Sequence, residues 1–392
     1  MAAWHARRLT DQTRAAQRTR APLRPGTLTL PGGGRLELVE HPGLGGVLLI
    51  DRRAGTATAV LPVASSGFLL DDGSAQEHKV AAWGRVLAGL CQQPTIARVQ
   101  LLVRTVPGGL SPARKWWSEH RGTGGSPIAA AVAAMLDDGF LTAYRREALL
   151  AVAARLPRGY RRGHDERLEP LAAQLDAIVS LLRAADLNPA GWLDSTGLAT
   201  LLAGAYDPRA TAHQDSLTDR AIPAPMGVEE WWASLTVGTA VHATYWVNEW
   251  PRSGTHPGFL QPLLLGDTGT RVLTLLAEPV STARALREIR RTKVEHAADA
   301  AQRQRIGQVE DEATRAEIAD LQRREAELVA GHGDLRFTGL VTVSAESEAQ
   351  LADRCVALET AAAQAMCEVR RLVGQQGVAF LAGALPLARG VL

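Results

Sequence analysis

From Ser281 to about Ala330 the chain has no proline, and Gly307 is the one glycine. Opposite charges recur there at helical spacing: Arg284 with Glu288, Arg291 with Glu295, Asp299 with Arg303, Asp311 with Arg315 and Asp320 with Arg324. Side chains four apart share a helix face, so the run is a helix laced with exposed ion pairs. Unbroken over 281–330, it would be roughly 70 Å long, longer than a compact domain is wide. It must break near Gly307 or project outward. Its apolar positions are few and mostly alanine, which favours a projecting arm or hairpin over a core helix.

The flanks read as strands. His242–Ser253 and Arg271–Glu278 are rich in β-branched, aromatic and leucine residues and end at Pro251 and Pro279. After Gly331-His332-Gly333, a glycine stop, Leu335 to Val343 alternate as a third strand. Ser347 with Gln350 forms a capping-box pattern, and Leu351, Cys355, Leu358, Ala362, Ala365, Val369 and Leu372 make one helical stripe. Gly374 and Gly377 end that helix, and Val378–Leu381 is expected as a final strand.

The first half carries a similar order. Arg35–Glu40, Gly46–Asp51 and Thr56–Val63 read as strands, the last two joined by the turn Arg52-Arg53-Ala54-Gly55. Ser74 with Glu77 suggests a cap for a helix with Val80, Trp83, Leu87 and Leu90 on its buried side, stopped by Pro94. A strand over Val99–Thr105, a helix from about Ser126 to Ala143 and a strand over Glu147–Ala153 follow. The expected fold class is therefore α+β, with two split β-α-β (ferredoxin-like) units of similar element order. The divisions are a basic tail at 1–24, an α+β domain at 25–160, a helical connector and loop at 161–225, and a second α+β domain at 226–392 holding the long helix 281–330. In the connector, Leu168 to Ala185 keep one helical stripe, Asp194 or Ser195 caps a second helix, and 209–225 reads as an exposed loop.

With 43 Lys+Arg against 41 Asp+Glu, no global field favours nucleic acid. The local exception is the tail, where Arg7, Arg8, Arg14, Arg18, Arg20 and Arg24 face one acid, Asp11; these are candidates for contact with anionic lipid or nucleic acid. Cys91, Cys355 and Cys367 have neither disulfide-framework nor zinc spacing, which fits a reducing compartment. The longest uncharged apolar runs, Ala59–Leu70 and Pro127–Leu136, are too short to span a bilayer. No signal peptide is visible at the amino end.

Motifs for catalysis are missing. No glycine-rich stretch (Pro31–Gly34, Gly122–Gly125, Gly331–Gly333) continues into Lys-Ser or Lys-Thr, so the usual phosphate loop of an ATPase is absent. The ten histidines give no His-Glu-x-x-His, and Ser253 lacks the nucleophile elbow. His332 with Asp334 is the best isolated acid/base pair, and polar residues in such a turn usually serve the backbone. No catalytic residue, metal or cofactor is expected. Nine Trp beside five Phe is a high count, and Trp116-Trp117, Trp231-Trp232 and Trp246 with Trp250 cluster, as core or as a partner surface. The interaction candidates are Trp231, Trp232, Trp246, Trp250, Pro251, Arg252, Arg324, Glu325 and His332.

Four stretches carry a resemblance: Tyr245–Ser253, Phe259–Leu265, Arg324–His332 and Ala384–Gly390, with Trp83-Gly84, Gly191-Trp192-Leu193 and Ala205–Pro208 extending it into the first half. Through them the chain resembles an actinobacterial family of conjugation-associated membrane proteins, often labelled type VI secretion proteins. That family is similar to the non-motor amino-terminal region of TraC/VirB-class ATPases of type IV secretion, standing alone. The resemblance implies a non-enzymatic structural component that docks with a separate secretion or conjugation ATPase, with self-association and membrane-complex subunits as further partners. Such proteins usually begin with a membrane-spanning hairpin, and here the basic tail stands in that place. The implied location is cytoplasmic, peripheral at the inner face of the cell membrane. Two other classes stay open: a hydrolase or degenerate nucleotide-binding enzyme around His332 and Asp334, and a DNA-binding adaptor using the tail.

Overall fold

A computed structural model describes residues 15–18, 26–208 and 225–390, except 33, 66, 69–70, 109–110, 121–125, 138–142, 226, 252–254, 267–268 and 306–311. It is a mixed α+β chain whose strands form one large antiparallel sheet.

Strands β2 (Thr27–Leu30), β3 (Gly34–His41), β4 (Gly46–Asp51) and β5 (Thr56–Ser65) form an antiparallel meander. Then come α1 (Gly73–Cys91), β6 (Ile96–Gly108), a helical pair α2 (Ser111–His120) and α3 (Pro127–Asp137), β7 (Ala143–Arg155), α4 (Glu169–Ala184), β8 (Leu187–Pro189) and α5 (Ser195–Tyr206). β7 lies between β5 and β6, and β8 pairs with the far end of β5.

The second half follows the same plan. Its meander is β9 (Gly227–Glu230), β10 (Leu235–Val237) and β11 (Ala240–Glu249), with β1 (Ala15–Arg18) paired to β9. Next are α6 (Gln261–Leu265), β12 (Arg271–Val280), the helical pair α7 (Thr282–Arg305) and α8 (Glu312–Val329), β13 (Asp334–Ala345), α9 (Glu348–Gln364), β14 (Glu368–Arg371) and α10 (Gln376–Gly383). β13 lies between β11 and β12, and β14 pairs with the far end of β11. The halves meet edge to edge, with Val99–Thr105 of β6 antiparallel to Arg271–Ala277 of β12. Arg98 and Glu278 add an ion pair of 2.5 Å across this seam.

Several elements depart from the sequence reading. Val378–Leu381 is helical, inside α10, and not a strand. The stripe from Leu351 to Leu372 is not one helix, because α9 stops at Gln364 and Glu368–Arg371 turns back as β14. Met366 makes that turn at φ 55, with Cys367 N–H bonded to Ala362 O and Met366 N–H to Ala363 O, a Schellman closure without glycine. α1 is capped by Asp72, which accepts from Ala75 N–H, in place of Ser74. The Ser126–Ala143 helix ends at Asp137, and β7 already begins at Ala143. The run 281–330 holds two helices, Thr282–Arg305 and Glu312–Val329, and the expected break near Gly307 lies outside the described residues.

Both faces of the first half are covered, which is why its strands read as nearly unbroken apolar runs. On one face, α1 and α4 bury Leu90, Leu175, Ile178 and Leu182 against Leu48, Ile50 and Val152. On the other, α5 and α10 share one core, in which Leu198, Leu202 and Tyr206 meet Phe380 and Leu385 over Leu49, Val60 and Ala151. In the second half, α9 seats Leu351, Cys355 and Leu358 on Tyr245, Val341 and Val343.

After α10 the chain becomes a strap across the first half's sheet. Gln100 Nε2 donates to Ala382 O (2.8 Å) and Leu385 O (3.0 Å), and its Oε1 accepts Ala388 N–H (2.7 Å). Arg389 anchors the strap with two hydrogen bonds to Asp51 Oδ2, of 2.8 and 2.5 Å. The motif Ala384–Gly390 is therefore a fastening between halves.

Candidate functional site

β12 and β13 are paired from Arg271↔Val343 to Val280↔Asp334, so α7 and α8 form an excursion from the tip of a β-hairpin. Helical propensity and charge pairing favour helix along the excursion. Arg284–Glu288 (3.2 Å) and Arg291–Glu295 (3.0 Å) are present as the spacing implies. Between the helices, Lys293 pairs with Glu325. Asp320 pairs with Arg323 and not with Arg324, because Arg324 reaches back to Asp334. Asp311 and the Arg303 side chain lie outside what is described.

The arm is fastened at its root. Val280, Ala285, Ile289 and Leu328 form a small cluster of their own, with Leu286 and Leu321 packed against it. Arg336 of β13 gives Glu288 two hydrogen bonds of 2.8 Å, and Arg324 gives Asp334 bonds of 3.2 and 2.6 Å. Arg336, with Arg284, holds the Glu288 carboxyl below its ordinary value, while Asp334 raises Arg324. Beyond the root, Val294 of α7 is 69% exposed.

Glu325, Arg324 and His332 all stand at or near this root. His332 is exposed, and its N–H bonds Glu327 O while Gly331 N–H bonds Leu328 O, so it completes the α8 stop at the backbone level. The Asp334 carboxylate is tied to a guanidinium, which leaves it poorly placed to act as a base toward a substrate.

The tryptophans do not form one patch. Trp231 and Trp232 are half-buried in the turn between β9 and β10, where Trp231 N–H bonds Ser234 O and Trp232 O accepts Gly374 N–H. Trp246 is 37% exposed on β11. Trp250, half-buried, meets Phe337 edge-on at 5.6 Å and covers Gly339, where a Cβ would come within 2.5 Å of the indole. Trp250 thus supports the strand that carries the arm. Pro251 beside it is half-buried, and Arg252 lies outside the described residues. So do Arg7, Arg8, Arg14, Arg20 and Arg24; Arg18 stands on β1 opposite Gly227.

The sequence reading missed the buried polar groups on the sheet. His242 lies fully buried between Tyr206 O (3.0 Å) and Ser344 Oγ (2.8 Å). Tyr245 donates to Glu359 and lies under the Arg371 guanidinium, which also reaches Cys355 Sγ. Their signal was polar residues at inward positions of otherwise apolar strands. Among the described residues, no group of three or more His, Cys, Asp or Glu could hold a metal ion, and no helix is long and apolar enough to cross a membrane. Compared with known proteins, the chain matches no family model and no curated sequence.

Proposed function

We propose that this chain is a non-enzymatic structural subunit of a conjugative, type IV-like secretion apparatus, peripheral at the inner face of the membrane, that docks with a separate motor ATPase. The observation that carries the reading is the α7–α8 arm, a charged helical hairpin rooted at its base by one small apolar cluster and two ion pairs. Such a hairpin adds little to the body's core and offers a long solvated face to a partner. Each half supports the finer reading as a split β-α-β (ferredoxin-like) unit: the neighbour orders β8-β5-β7-β6 and β14-β11-β13-β12 are both 4-1-3-2 in order of appearance.

The test is affinity capture from the native cell with the full chain and with a variant in which a short turn replaces residues 282–330. Recovery of a phosphate-loop ATPase by the full chain, and its loss with the armless one, is the expected result. Capture that ignores the arm, or nucleotide or ester turnover by the purified chain, would count against the proposal.

A further inference from the structure

A cavity of about 670 Å³ opens where α5 crosses the ends of β5, β6 and β7. That is the volume of a site for a small organic molecule. Its walls are largely apolar and include Pro62, Leu149, Leu193 and Leu201. Into this lining β6 sends Arg104, a residue only 2% exposed.

Arg104 is poorly compensated. Its cross-strand neighbour on β7 is Glu147, but Nη1 stands 3.6 Å from Glu147 Oε2, beyond hydrogen-bond length. The other oxygen of Glu147 takes Arg145 Nη2 at 2.5 Å. One carboxylate therefore serves two guanidinium groups, and the cluster keeps a net positive charge. Arg104 Nε has no acceptor among the described residues. A buried guanidinium left this way is costly, whereas a bidentate carboxylate or phosphate would match its fork of donors.

We propose that this cavity binds an amphiphilic organic anion, whose carboxylate or phosphate head pairs with Arg104 and whose apolar body lies against Leu149, Leu193 and Leu201. The site is separate from the arm and does not depend on the docking reading. A neutral molecule of the same shape would leave the buried cation unsatisfied, so the cavity selects for the charged head as well as for the apolar body.

Isothermal titration calorimetry of the full chain with decanoate, decyl phosphate and decanol, each below micelle formation, tests the proposal. At least one anion is expected to bind ten-fold or more tighter than decanol, and the preferred anion identifies the head group. Arg104→Met keeps the volume and removes the charge, and should weaken that anion ten-fold or more. Should this variant fail to fold, Leu201→Trp retains the arginine, fills the cavity and should abolish binding. Absence of binding by both anions, equal binding of decanol, or a folded Arg104→Met protein that binds as the parent does would overturn the assignment.

Discussion

His242 donates from Nε2–H to the Tyr206 carbonyl and accepts at Nδ1 from Ser344 Oγ–H, so its hydrogen bonds are complete in the neutral form. Burial pushes its pKa down from 6.5 to about 4. Between these values the unfolded chain takes up a proton that the folded one refuses, so stability is full above about pH 6.5 and falls toward pH 4, by about 3 kcal/mol in all. The carboxylates Glu37 and Glu288, held below 4.5 by Arg52 and Arg336, give up their contribution only at lower pH. The window from pH 6.5 to 4.5 therefore isolates the histidine. Urea unfolding across it should slope for the parent and be nearly flat for His242→Gln; equal slopes would show that another group carries the effect. At Met366, exposed and held at φ 55, glycine relieves the left-handed backbone. Met366→Gly should raise the urea midpoint by about 1 kcal/mol equivalent, and Met366→Val should lower it.

At the scale of elements, the arm is separable from the fold beneath it. Val280 and Asp334 are paired neighbours, so a two-residue Asn-Gly turn in place of residues 281–333 can close β12 onto β13. The armless chain should keep a cooperative thermal transition, losing the Val280–Leu328 cluster and the two ion pairs that Arg336 and Asp334 make with the arm; collapse to a molten state in near-ultraviolet dichroism would mean that the arm is part of the core. The arm was legible because charge spacing and the absence of proline are local signals. So were Gly46–Asp51 and Thr56–Val63, whose apolar runs flank a clear turn. β14 was hidden because Val369 and Leu372 happen to continue the α9 stripe, and the residue that breaks the helix is a methionine. α10 was misread because four apolar residues, Val378–Leu381, fit either period, and only Phe380 meeting Tyr206 and His242 in the shared core decides it. The Arg104 cavity needs three strands and α5 to exist, so no single stretch announces it.

For the whole molecule, the edge-to-edge seam and the shared core under α5 and α10 join the halves, which should therefore unfold as one cooperative unit. Scanning calorimetry should give one transition with equal calorimetric and van't Hoff enthalpies. Two resolved transitions would show that the seam is only a contact between independent domains. Residues 226–392 produced alone would leave the β12 edge open and should self-associate. Because β6 and β12 run antiparallel, α2–α3 and α7–α8 leave from opposite ends of the strands, and the body separates two helical excursions.

The strap also places a clock in biosynthesis. Gln100 is translated 288 residues before Ala388, the partner of its side-chain oxygen, an interval of roughly 15 to 60 s on a ribosome. Until α10 and the strap are made, the nascent first half presents a sheet face that α5 alone can cover, with Asp51 still lacking Arg389. A ribosome paused before Gln376 would hold an intermediate whose exposed face invites chaperones.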